Sequence, residues 1–156
     1  MTSTFSIMAA VDLSDFSPAI VRYSVWLSQR LGADLLVVNV INQRDIDIVQ
    51  RAMASHDPFS IGDYITDQKQ DRTSRLGQML SSASPGIINC RTQVHVGIPY
   101  QELLKAIERE KPNLMVVGTK GRSNFADVVV GSTARKMYRR SPIPLLAIPP
   151  GSDEPL

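Results

Sequence analysis

Leu114-Met115-Val116-Val117-Gly118-Thr119-Lys120-Gly121-Arg122 is the stretch that decides the fold. Its apolar run is too short for a helix and stops abruptly at a polar turn built around glycine. A run with no polar alternation is what a strand buried on both faces requires, and such strands belong to parallel sheets covered by helices. Further along, Gly131-Ser132-Thr133 opens an amphipathic segment that lasts until the Ser141-Pro142 break. The stretch therefore reads as strand, glycine turn and helix.

Outward from it the same unit recurs. Short runs rich in β-branched residues occupy 5–11, 34–41, 90–96 and 145–148, with longer amphipathic segments between them. The first segment starts at Ser17-Pro18, a capping residue followed by proline at the first helical position, and ends at Leu31-Gly32. Another starts at Pro99, carries Leu103, Leu104 and Ile107 on one face, and is stopped by Lys111-Pro112. Residues 42–84 are the least regular; they predict a mobile connection interrupted by His56-Asp57-Pro58, followed by a helix over 61–80. The alternation predicts an α/β fold with a parallel sheet and helices on both faces, because parallel strands need crossover connections. The expected organisation is one domain over residues 1–150 and a tail over 151–156. In such sheets ligands sit beyond the carboxyl ends of the strands.

The chemistry is concentrated in Gly118, Gly121, Gly131 and Ser132, spaced Gly-x2-Gly-x9-Gly-Ser. Glycines let backbone N–H groups approach an anion with no Cβ in the way and tolerate positive φ. Gly131-Ser132-Thr133 opens a helix, where unpaired amides and the helix dipole favour phosphate. The Ser132 and Thr133 hydroxyls can add donors, and Lys120 and Arg122 supply positive charge. The common phosphate-loop signature is absent. So is a dinucleotide fingerprint, since Val11-Asp12-Leu13-Ser14 after the first strand contains no glycine.

Together these residues resemble the universal stress protein family, in its ATP-binding branch. The resemblance extends to Ala10-Val11-Asp12 and Ser14, to Val38-Asn39-Val40-Ile41, to Gly97-Ile98-Pro99, and to the closing strand beginning Pro142-Ile143-Pro144. It covers nearly the whole chain apart from the irregular part after strand two. It implies a three-layer, open five-stranded parallel sheet between helices, Rossmann-like and of the adenine nucleotide alpha hydrolase-like type. It also implies an ATP site. Asp12, beside Ala10, would hold the adenosine half, and Val40 would meet adenine through its backbone. Val117, Gly118, Gly121 and Arg122 would line the ribose and phosphates, with Gly131, Ser132 and Thr133 on the phosphates and Mg2+ carried in with the nucleotide. The family usually forms homodimers by pairing the last strand, here starting at Pro144 and closing at Ile148.

The expected role is regulatory: an adenine-nucleotide-binding sensor of the stress response, with no residue standing out as a general base or activated nucleophile. Slow ATP hydrolysis or autophosphorylation on Ser123, Ser132 or Thr133 is the enzymatic alternative. A nucleotide-free interaction module is a third reading, which the intact signature disfavours.

Composition excludes other classes. Seventeen basic and fifteen acidic residues leave a net charge of +2, too small for a nucleic-acid-binding surface. The basic group Arg135, Lys136, Arg139 and Arg140 suits the carboxyl end of its helix. No apolar run approaches the roughly 20 residues of a membrane span. Cys90, the single cysteine, can close no internal disulfide, and the N-terminus lacks a signal-peptide pattern; a cytoplasmic location is the expectation. His56 and His95 have no metal-ligand spacing, and Trp26 reads as helix packing.

Overall fold

The computed structural model describes residues 4–53, 60–83, 86, 89–120 and 130–152. Five strands alternate with helices: β1 (Ser6–Ala10), α1 (Ser17–Leu31), β2 (Asp34–Asn42), α2 (Gln43–Met53), α3 (Ile61–Ala83), β3 (Cys90–Gly97), α4 (Pro99–Glu110), β4 (Leu114–Gly118), α5 (Ser132–Arg140) and β5 (Leu145–Ile148). All pairings are parallel, in the order β3-β2-β1-β4-β5. The chain builds outward from β1 through β2 to β3, then crosses back to lay β4 on the other side of β1. The carboxyl ends of β1 and β4 therefore flank a topological switch point.

Alternate residues of each strand feed two separate cores, as the strand period demands. Ile7, Ala9, Leu35, Val37 and Val116 pack with Ile20, Val21 and Val25 of α1 and Leu76 of α3. Met8, Leu36, Val38, Met115 and Val117 pack with Leu103, Ala106 and Ile107 of α4 and Ala134 and Met137 of α5. One pair of helices thus covers each face, which is why the central strands carry no alternation.

Helix ends follow local chemistry. Gly32 closes α1 in the left-handed region at φ 59°, returning its amide to the Gln29 and Ser28 carbonyls. The α1 start differs from expectation. Its N-cap is Phe16 without a side-chain cap bond, and Ser17 is the first helical residue. The buried Ser17 hydroxyl instead donates to Asp12 Oδ1 at 3.2 Å, so a site residue has drawn the capping hydroxyl away.

The larger correction concerns the segment after strand two. Instead of a mobile connection, β2 runs directly into α2, with Asn42 Oδ1 accepting the Arg44 amide at 3.0 Å. Ile46 is its buried anchor. In Asp45-Ile46-Asp47-Ile48 the apolar residues alternate, which disguises a helix that touches the core at one position. His56, Asp57 and Pro58 lie outside the described residues.

Candidate functional site

A cleft of about 400 Å³ opens at the carboxyl ends of β1, β2 and β4, between the first turns of α2, α4 and α5. Eight predicted site residues line it: Ala10, Asp12, Val40, Val117, Gly118, Gly131, Ser132 and Thr133. The other two, Gly121 and Arg122, lie outside the described residues.

Each part of the cleft has a distinct donor set. At α5, Gly131 is the N-cap and its carbonyl accepts the Arg135 amide at 3.0 Å. The amides of Ser132, Thr133 and Ala134 form the first turn, where no carbonyl of the helix can reach them. Three N–H groups and the positive end of the helix dipole thus face the cleft side by side. The Gly131 amide itself is committed, donating to the Thr119 carbonyl at 2.6 Å. Gly131 therefore positions the cradle and leaves the anion to its successors. Lys120 lines the same cleft and adds a positive charge.

Gly118 has a packing reason that its sequence context did not announce. It does not take a positive φ; a Cβ there would lie 2.6 Å from Ile20 Cδ1 and 3.2 Å from the Lys120 carbonyl. A side chain here would have to displace the tip of Ile20 and press on the turn after β4.

On the β1 side, Asp12 Oδ1 accepts the Ser14 amide at 3.0 Å and the Ser17 hydroxyl. One carboxylate oxygen is thereby used to shape the loop, and both bonds fall on it, so the second oxygen is turned away from these partners. The anticipated capping role and a role in the cleft coexist in one residue.

On the β2 side, the Val38 carbonyl accepts the Val11 amide at 3.0 Å, just past the end of β1. Successive residues of a strand direct their backbone groups to alternate neighbours, so the amide and carbonyl of Val40 point the same way as those of Val38. At that level β1 has left the sheet, and among the described residues this edge donor and acceptor pair has no strand partner where it borders the cleft. A planar heterocycle with adjacent acceptor and donor could dock there.

Sequence reasoning missed Asn42, Arg44 and Asp45, which line the cleft from the junction of β2 with α2. Recognising Asn42 as an N-cap would have found them. Pro99 and Leu103 also line it; their pattern marks them as helix residues, and only the crossing of α4 over β2 makes them a wall. The basic residues of α5 do not belong to the site: Lys136 and Arg140 lie over the Tyr100 ring at 4.6 and 5.1 Å. His95 sits on edge strand β3, where its Nε2 pairs with Gln93 Oε1 at 2.9 Å. Burial and the nearby Arg109 charge lower its pKa, which keeps the ring neutral and structural. No group of three metal-ligating side chains occurs among the described residues, and none of their helices is long and apolar enough to cross a membrane.

A sequence model of the universal stress protein family matches residues 4–149. Universal stress protein MJ0531 of Methanocaldococcus jannaschii is 20% identical over 142 residues, 91% of this chain and 80% of that protein. The solved structure of MJ0577 superposes with a TM-score of 0.75 at 18% identity, covering 97% of this chain and 99% of the other. The structure of a universal stress protein in complex with cAMP gives a TM-score of 0.62 at 20% identity, covering 94% and 98%.

Proposed function

The chain belongs to the universal stress protein family, and from that premise we propose that it is an ATP-binding regulatory protein of the stress response. The observation that carries the reading is the convergence on one cleft of a helix N-terminus, a carboxylate and a strand edge that no described strand pairs. These fit the three parts of an adenine nucleotide. The Ser132, Thr133 and Ala134 amides match the phosphates, Asp12 the ribose hydroxyls, and the Val40 backbone the base edge. Gly118 lies on the ribose side of the cleft, and Gly121 and Arg122 belong to the phosphate side on the strength of their motif. The cAMP complex of a relative supports the adenine class. A Mg2+ ion held through phosphates and water needs few protein ligands, so it can enter with the nucleotide.

Binding is the proposed function; slow ATP hydrolysis or autophosphorylation on Ser132 or Thr133, which line the cleft, or on Ser123, which lies outside the described residues, is the enzymatic alternative. Homodimerisation is proposed through β5, which ends the sheet and leaves one edge beyond β4 for a second copy. A cytoplasmic location and a single domain over residues 1–150 complete the reading.

Calorimetry with ATP tests it. Wild type is expected to bind ATP at or below millimolar concentration, and Gly131→Ala to bind more weakly. The backbone of that variant is unstrained, because φ −64° and ψ 157° suit any residue. Absence of binding at millimolar ATP sinks the proposal.

A further inference from the structure

We propose that Arg72 and Arg75 of α3 are positioning residues for Asp12, so that a helix outside the cleft sets the affinity for the adenosine half of the nucleotide. The inference rests on the reading of the cleft as a nucleotide site. It starts from Leu13, whose φ of 61° puts a leucine in the left-handed region. A side chain with a Cβ enters that region against steric resistance, so neighbouring contacts must hold it there.

Those contacts come from α3. The Leu13 carbonyl accepts from Arg75 Nη2 at 3.3 Å. On the other side of Asp12, the Val11 carbonyl accepts from Asn39 Nδ2 at 2.8 Å, and Asn39 Oδ1 accepts from Arg72 Nη1 at 3.0 Å. Asn39 is 1% exposed, so this relay runs through the interior and tolerates little displacement. Both residues flanking Asp12 are thus tied, directly or through one side chain, to arginines three positions apart on the same helix face. Neither arginine lines the cleft.

Within the loop, Asp12 is oriented by Ser14 and Ser17. The loop as a body is oriented by α3. Charge-assisted bonds from guanidinium to carbonyl suit this task, being stronger and more directional than neutral ones. By linkage, whatever shifts α3 shifts nucleotide affinity, and the nucleotide in turn restrains α3.

Arg75 is exposed, so Arg75→Ala keeps the fold. In the ligand-free protein this variant is expected to speed hydrogen exchange at the Ser14 amide severalfold, with the Met8 and Val37 amides unchanged. ATP dissociation constants rise about three- to tenfold, the scale of one lost hydrogen bond, while affinity for inorganic tripolyphosphate stays put. Arg75→Lys recovers part of the loss. In an Asp12→Asn background Arg75→Ala adds little, because both act through one carboxylate. Arg72→Met provides the second variant and the same pattern.

Wild-type exchange at Ser14 in both variants would overturn the proposal. So would equal weakening of ATP and tripolyphosphate, or full additivity with Asp12→Asn. Should wild type bind no ATP, the nucleotide reading fails, and exchange at Ser14 alone decides whether α3 holds the loop.

Discussion

Two loops at the same end of the sheet build the cleft by opposite means. After β1, residues 11–16 contain no glycine and are shaped by side chains: Asp12 bonds Ser14 and Ser17, Ser14 Oγ accepts the Phe16 amide, and Asn39 takes the Val11 carbonyl. After β4 the described residues are tied through the backbone. The Thr119 amide donates to the Ile148 carbonyl at 3.0 Å, and the Gly131 amide donates to Thr119. The first loop spends side chains on itself and presents a carboxylate. The second, in its described residues, is tied by amides and carbonyls and presents amides at the start of α5. A sugar hydroxyl wants an acceptor and a phosphate wants donors, so the two constructions are complementary.

That contrast can be broken most strongly at Gly118. Where the described turn after β4 is tied by backbone bonds, a side chain is an intrusion, and Gly118→Val drives methyl groups into Ile20 and the Lys120 carbonyl. Urea unfolding should report a loss of about 1–3 kcal/mol, the usual cost of overpacking. Calorimetry should find no ATP binding at millimolar concentration. A Gly118→Val protein that binds ATP as wild type does would show that close approach is not what the glycine supplies.

Asp12→Ala probes the side-chain loop and should act at an intermediate level. It leaves the Ser14 amide and the fully buried Ser17 hydroxyl without their acceptor. An unsatisfied buried group costs about 1–3 kcal/mol. The ATP dissociation constant should rise roughly tenfold, about 1.4 kcal/mol, and discrimination against deoxyribonucleotides should shrink. Unchanged discrimination would detach Asp12 from the sugar.

Ser132→Ala should have the smallest effect, about threefold in ATP affinity, on the scale of one modest hydrogen bond. The hydroxyl goes but the three first-turn amides remain. Loss of binding here would mean that side chains carry the phosphate site after all, and the contrast between the loops would collapse. Any ATP turnover abolished by Ser132→Ala would favour the enzymatic reading instead.

Much of this was legible in the residues themselves. The buried strands announced themselves as short runs without alternation, and the helices as segments bounded by proline and glycine. All the predicted site residues that the structure describes do line one cleft. The failures share a cause. Asn42, an N-cap directly after a strand, looked like a loop residue, and α2 behind it buries little more than Ile46, so its pattern barely registers. With α2 went Arg44 and Asp45. Ser17 before Pro18 looks like a cap, because residue types alone do not reveal that Asp12, five positions earlier, takes its hydroxyl.

Alone, the sequence determined the alternation of strands and helices, the glycine that opens a helix at Gly131-Ser132-Thr133, and the family. Those properties depend on residue spacing and backbone freedom, which are local quantities. Tertiary structure decided that Gly118 is glycine because of Ile20, ninety-eight positions away (118 − 20). It also decided that the Gly131 amide is spoken for, and that two arginines of α3 hold the loop bearing Asp12. Each of these depends on which atoms the packed sheet brings within 3–4 Å, and no window along the chain contains that distance.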